Sequence, residues 1–97
     1  QGLLLINYNE LPNKFLEWRD LWERWDNWLK LSNQSAIKCA INYCLSFDEI
    51  DHVIVGVNAN TQLTEIIKAI KSRENSQFPD FLVNDERLLL PYNWHKL

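Results

Sequence analysis

The chain has 97 residues, of which 46% are hydrophobic and 24% are charged, and its formal net charge is −3 at pH 7. This length corresponds to about one small domain with a thin core, and the composition is that of an ordinary globular chain. The negative balance argues against nucleic acid as a partner, because phosphate binding needs lysine and arginine in local excess. No apolar run has the length of a membrane span and no signal peptide opens the chain, so we expect no membrane contact and a cytoplasmic protein.

The first predicted element is a strand over residues 1–7, whose centre LLLI is wholly apolar. A run of this kind is typical of a strand that is covered on both faces of a sheet. The second such run, HVIVGV, predicts another strand over residues 52–57.

A tryptophan-rich helix is predicted over residues 12–31. Its apolar residues recur at spacings of three and four, which places them on one stripe: Leu11, Phe15, Trp18, Trp22, Trp25 and Leu29. The stripe favours a buried core over a platform on which sugars or bases stack. Trp28 lies off the stripe and is the better candidate for an exposed or interface aromatic.

Two further helices are predicted over residues 35–46 and 60–72, followed by an irregular tail over 73–97 with one helical turn before Pro91. Ser35 is the expected cap of the first of these helices, and Asn58 or Asn60 that of the second. The predicted core positions are Ile37, Ala40, Ile41, Cys44 and Leu45 in the first helix, and Leu63, Ile66, Ile67 and Ile70 in the second.

Other chemistry is sparse in this sequence. Cys39 and Cys44 point to different sides of a helix, so we expect two free thiols that pack as small hydrophobes. With the two histidines they lack every usual zinc spacing, and no metal site is predicted. The acidic residues at 48, 49 and 51 are expected to be solvated, and no catalytic residue is predicted.

Two strands alone leave unpaired sheet edges. The helices supplied with them cover one face of a two-stranded sheet at best. The chain is therefore expected to be a piece of a larger α/β protein, or to complete its sheet by forming a homo-oligomer.

Three segments resemble the aldo-keto reductases. LSFDEIDHVIVGVNANTQLTEII resembles the last strand and helix of that family, QGLLL the strand one βα unit earlier, and LLLPYNWHKL the C-terminal tail. The resemblance implies the α/β class and the C-terminal third of a (β/α)8 TIM barrel, in the order strand, helix, helix, strand, helix, tail. As an isolated piece it would be mainly α-helical with two short strands, within one domain segment over residues 1–97.

The resemblance also implies a parent enzyme that transfers hydride between a nicotinamide cofactor and an aldehyde or ketone. The family's catalytic residues come from the first half of the barrel, so this piece is expected to be inactive alone. The residues that it would contribute to the adenosine end of NADP or NAD are Gly56, Val57, Asn58, Gln62 and Glu65. Both cofactors stay open, because Asn58 stands where the family often has a cationic arginine, and Ile66 where it has asparagine.

Two alternative functions do not involve a reductase. One is a small interaction module that dimerises through its aromatic helix and its unpaired strands. The other is a carbohydrate-binding module that uses exposed indole rings.

Overall fold

The structure is a computed structural model that describes residues 2–72, 77–80 and 82–97. Within these ranges the chain is mainly α-helical, as predicted: its α-helices are α1 (Arg19–Ser32), α2 (Ala36–Leu45), α3 (Asn60–Lys71) and the short α4 (Glu86–Leu89). Short 3-10 helices complete the described structure, at Leu3–Leu5, Tyr8–Glu10, Asn13–Trp18 and Pro91–Lys96. None of the helices in these ranges combines the length and the apolar character needed to traverse a bilayer. Gln1 of the predicted first strand and residues 73–76 and 81 of the predicted tail lie outside the described residues.

The chain contains two compact units. The first comprises Gln1–Trp28 and Pro79–Leu97, and the second comprises Leu29–Phe78. All five tryptophans belong to the first unit, whereas α2, α3 and the apolar run at 52–57 belong to the second.

The two predicted strands do not form in the described part of the chain. Leu3–Leu5 is a 3-10 helix, and residues 51–57 have no regular secondary structure. A strand is stable only when its backbone groups pair with a neighbouring strand, and neither run has such a partner among the described residues. Apolar character alone therefore misassigned both segments.

The backbone carbonyl groups of the first apolar run accept hydrogen bonds from tryptophan side chains. The indole Nε1 of Trp22 donates to the carbonyl oxygen of Leu3, and that of Trp25 to the carbonyl oxygen of Leu4, both at 2.9 Å. These carbonyls satisfy the polar edges of two buried indoles, and a sheet ladder would compete for the same oxygen atoms.

The core of the first unit is the predicted aromatic stripe. Its buried cluster consists of Leu11, Phe15, Trp18 and Trp22, and Trp25 is buried as well. Phe15 is only 2% exposed and meets the ring of Trp94 edge to face at 5.0 Å. The prediction of a buried aromatic stripe is confirmed at these positions, while Leu29 at its end is half-buried.

The core of the second unit lies between α2 and α3 and is smaller. The buried side chains are Cys39 and Asn42 of α2 and Ile66 and Ala69 of α3. The predicted core positions of α2 are only half-buried. In α3 the prediction is wrong for Leu63, Ile67 and Ile70, because the helix turns Ile66 and Ala69 toward α2 and leaves the rest of its apolar face exposed.

Two helix starts were predicted with named caps. The prediction is confirmed for α2, where the Ser35 hydroxyl accepts from the backbone N–H of Lys38 at 3.2 Å. It is wrong for α3, whose N-cap is Ala59 and which has no side-chain cap. Instead, the backbone N–H of Asn58 donates to Oε1 of Gln62 at 2.6 Å, which fixes the approach to the helix from one residue further back.

The end of α1 contains a left-handed residue. Asn33 has a φ of 53°, its N–H donates to the Lys30 carbonyl at 3.3 Å, and the N–H of Gln34 donates to the Leu29 carbonyl at 3.1 Å. This pair of hydrogen bonds is the Schellman arrangement, which favours glycine or asparagine at the left-handed position.

The effect of a substitution at Asn33 on the free energy of unfolding should therefore depend on whether the new residue has a Cβ atom. We expect Asn33→Ala to lower the free energy of unfolding by about 1 kcal/mol, because asparagine tolerates the left-handed region better than alanine does. Asn33→Gly should leave it nearly unchanged or raise it slightly. Urea denaturation followed by far-UV circular dichroism measures both, and equal losses in the two variants would contradict the explanation.

Candidate functional site

The tryptophans could form a ligand platform only if they exposed their faces. Trp22 and Trp25 are each 5% exposed and Trp18 is 8% exposed. Their indole N–H groups are engaged within the chain, that of Trp18 with Asp85 Oδ2 at 3.1 Å. Trp28 is half-buried and stacks on Trp25 with ring centroids 6.1 Å apart. The buried rings of Trp18, Trp22 and Trp25 form a core and offer no broad open face to a sugar.

A charged network lies beside Trp18. The Arg87 guanidinium donates to both carboxylate oxygens of Glu17, at 3.0 and 3.1 Å, and also to Asp85 at 2.7 Å. It lies over the Trp18 ring, 5.0 Å from the centroid. Because hydrogen bonds from Arg87, then from the indole N–H, favour the charged carboxylate, the pKa of Asp85 is lowered from 3.8 to about 2. The network joins the segment around α4 to the start of the tryptophan-rich region.

This lowered pKa predicts an acid-sensitive contribution to stability. The folded Asp85 binds its proton less readily than the unfolded one, so its contribution is fully present above pH 3.8 and is lost as the pH falls toward about 2. Asp85→Asn should lower the melting temperature at neutral pH and remove this part of the pH dependence. Thermal unfolding followed by tryptophan fluorescence reports it, and an unchanged acid profile in the variant would contradict the assignment.

The five residues predicted to contact a cofactor are exposed, and all belong to the second unit: Gly56, Val57, Asn58, Gln62 and Glu65. The structure brings Asn58 and Gln62 together through the backbone hydrogen bond described above. Glu65 lies one turn further along α3, so Gln62 and Glu65 share a side of that helix. The resulting surface combines an amide, a carboxylate and the N-terminal amides of α3.

Gly56 stands out within this surface. Its φ lies outside the left-handed region, and a Cβ atom built on it would meet no atom within 4 Å. Neither backbone conformation nor packing inside the described chain therefore requires glycine at this position. A glycine here is compatible with an ordinary turn residue before α3 and with close approach by a group from outside the chain.

A shallow groove of about 340 Å³ runs between α2 and α3. Its lining residues are Ser35, Ile37, Lys38, Glu65, Lys68, Ala69 and Ser72. Asn42 of α2 is only 3% exposed, and its Nδ2 donates to the carbonyl of Ala69, one of the lining residues, at 3.1 Å. Its Oδ1 has no partner among the described residues. Sequence periodicity missed this buried asparagine, because it weighs apolar residues alone.

The second unit exposes much apolar surface. Ile54 is 97% exposed, and Leu63, Ile67 and Ile70 of α3 are each 43% exposed. Others in the same unit are Leu31, Tyr43, Phe47, Ile50, Val55 and Val57. Single exposed hydrophobic residues are common, and they mark a surface that another molecule covers only where they form one contiguous patch.

The cysteines, the acidic residues near residue 50 and the C-terminal histidine are the other candidate residues of the sequence. Cys39 is a buried free thiol whose pKa is raised to about 11 by burial, and Cys44 is a half-buried free thiol. The acidic residues at 48, 49 and 51 are exposed, as predicted. His95 is exposed, and its Nδ1 lies 2.6 Å from the Tyr92 carbonyl oxygen. No group of three or more metal-ligating side chains occurs within the described ranges.

Comparison of the chain with known protein families, with curated proteins and with solved structures gives no match in any of the three.

Proposed function

We propose that the chain is the C-terminal third of an aldo-keto reductase barrel, and that it contributes the adenosine end of the NADP or NAD site. The observation that carries this proposal is Gly56, an exposed glycine that the described chain itself does not require. It precedes a helix that begins at Asn60 without a side-chain cap or an acidic residue in its first turn. A helix start of this kind attracts the polar and anionic groups of a nucleotide.

The side chains of Gln62 and Glu65 are suited to binding an adenosine ribose. A carboxylate such as that of Glu65 accepts hydrogen bonds from ribose hydroxyl groups, and the amide of Gln62 both donates and accepts. When bound, the nicotinamide supplies the hydride for the carbonyl substrate. The residues of this chain hold the other end of the cofactor and take no part in the chemical step.

The exposed apolar surface also supports the proposal. In a barrel, residues 52–57 would gain strand partners on both sides, and the apolar face of α3 would cover the outside of the sheet. Both features are unsatisfied in the isolated chain, where residues 51–57 are irregular and Ile67 and Ile70 are exposed. The proposed parent is a cytoplasmic oxidoreductase.

The test uses the protein encoded by the longest reading frame that contains this chain. We expect it to oxidise NADPH or NADH in the presence of an aldehyde or ketone. Glu65→Ala should raise the KM for the cofactor about tenfold, which is the loss of one hydrogen bond worth roughly 1.4 kcal/mol. The exposed Thr61→Ala on the same helix is the matched control, expected to change the KM little.

Two results would refute the reductase proposal. One is a reading frame that encodes no further βα units, and the other is a complete protein that oxidises neither cofactor. An equal effect of the Glu65 and Thr61 substitutions would refute only the assignment of Glu65.

A second function is a self-associating interaction module. The observation that favours it is the apolar surface of the second unit, with Ile54 97% exposed. Sedimentation of the chain should then show a species larger than one copy. A compact monomer throughout the micromolar range would exclude this function and leave the reductase proposal standing.

A further inference from the structure

Residues 51–57 form a segment whose backbone is unsatisfied within the described chain. No hydrogen bond joins the backbone of these residues to another described residue. Their centre is a β-branched run, Val53, Ile54 and Val55, of the type that favours a β-strand. Ile54 is almost fully exposed, so the segment presents both backbone groups and side chains for pairing.

The centre of the segment is symmetric about Ile54, which has a valine on each side. An antiparallel pairing of two copies centred on this residue places Val53 of each copy opposite Val55 of the other. In the same pairing His52 lies opposite Gly56, and Asp51 lies opposite Val57. A two-fold interface requires a self-complementary surface, and antiparallel pairing about a single residue meets that requirement.

The charges are complementary in the same register. The acidic residues at 48, 49 and 51 all lie on one side of Ile54, so antiparallel pairing keeps the two acidic clusters apart. It brings the acidic cluster of each copy alongside residues 57–60 of the other, where α3 begins. That helix start has no side-chain cap and no acidic residue in its first turn, and negative charge from a second copy would stabilise it.

We infer that two copies of this chain associate by antiparallel β-pairing of residues 51–57 about Ile54. Each copy supplies the strand partner that the other lacks, and the acidic cluster of one faces the start of α3 in its partner. The inference rests on the self-association function and concerns the chain by itself, because in the barrel of the reductase proposal residues 52–57 would pair with neighbouring strands instead.

The first test is sedimentation equilibrium of the complete chain and two variants. Ile54→Lys places two positive charges opposite each other at the two-fold axis, and should weaken dimerisation at least tenfold, a rough lower bound for apposed like charges. Leu31→Lys is the matched control, because Leu31 is 89% exposed and Ile54 97%. Both side chains are solvated in the single copy, so both variants should keep the wild-type circular dichroism spectrum.

The second test is oxidative cross-linking. Residues opposed at the axis of an antiparallel pair have Cα atoms close enough for a disulfide, so Ile54→Cys should form a covalent dimer readily. Leu31→Cys should form much less, and the wild-type chain with Cys39 and Cys44 gives the background.

The two tests distinguish pairing about Ile54 from self-association through another surface. A dimer that Ile54→Lys weakens and Ile54→Cys captures supports the inference. A dimer that neither substitution affects would overturn this pairing and leave self-association intact. A wild-type chain that is monomeric at all concentrations would overturn both, without bearing on the reductase proposal.

Discussion

Phe15→Ala is expected to lower the free energy of unfolding of the first unit by about 3–5 kcal/mol, the usual cost of removing a buried aromatic ring. Phe15 is 2% exposed, and its ring contacts Trp94 at 5.0 Å and Trp22 at 6.2 Å between centroids. Its removal therefore leaves a cavity between residues that lie far apart in the sequence. A small unit has only about 5–15 kcal/mol of stability at most, so much of it should be lost.

Tryptophan fluorescence measures this change directly, because every tryptophan of the chain lies in the first unit. Urea denaturation should show a large shift of the midpoint for Phe15→Ala. Leu16→Ala is the matched control, since Leu16 follows Phe15 in the same 3-10 helix and is 47% exposed. Similar midpoints for the two variants would show that the aromatic cluster is not the core.

Ile66→Ala should destabilise the second unit by about 2–5 kcal/mol, whereas Ile67→Ala should have a small effect. The two isoleucines are neighbours on α3 with the same helix propensity. They differ in burial, with Ile66 7% exposed and Ile67 43% exposed. The comparison therefore isolates the packing of α3 against α2 from its intrinsic helicity.

Far-UV circular dichroism during urea denaturation reports this difference, because α2 and α3 are the helices that pack together in this unit. At concentrations where the chain self-associates Ile67 could gain contacts, so the measurement is made on the Ile54→Lys background. Equal destabilisation by both substitutions would mean that α3 buries the face predicted from its sequence rather than the face in the structure.

The aromatic stripe could be predicted from sequence because it depends on local periodicity. Phe15, Trp18, Trp22 and Trp25 recur at helical spacing, and large aromatic side chains on one face have few alternatives to burial. The cap at Ser35 was predictable for a similar reason, since a serine hydroxyl and the first turn of a helix lie within four residues of each other.

The strands were not predictable, because a strand depends on backbone that lies elsewhere. An apolar run indicates that its side chains are buried, but it does not show which groups pair with its backbone N–H and C=O groups. In the first run the carbonyls of Leu3 and Leu4 bond to indoles, and in the second the partners are missing from the described chain. Neither arrangement has a signature in local sequence.

The face that α3 buries was misjudged for a related reason. Leu63, Ile66, Ile67 and Ile70 share one apolar face, and periodicity treats them alike. In the structure the buried residues are Cys39 and Asn42 of α2 and Ile66 and Ala69 of α3, so only Ile66 of the predicted apolar face is buried. The polar surface at residues 56–65 is exposed, and its predicted contacts with a cofactor depend on a molecule that the sequence alone does not describe.

Residues 51–57 lack backbone partners within the described part of the chain, and we propose that they obtain them from another chain or from the rest of a larger barrel. Amide hydrogen exchange at Val53, Ile54 and Val55 tests it most directly. We predict rapid exchange in the dilute chain, and slow exchange in the concentrated chain or in the protein from the longest reading frame. Slow exchange at these amides in the dilute monomer, or rapid exchange under every condition, would contradict the claim.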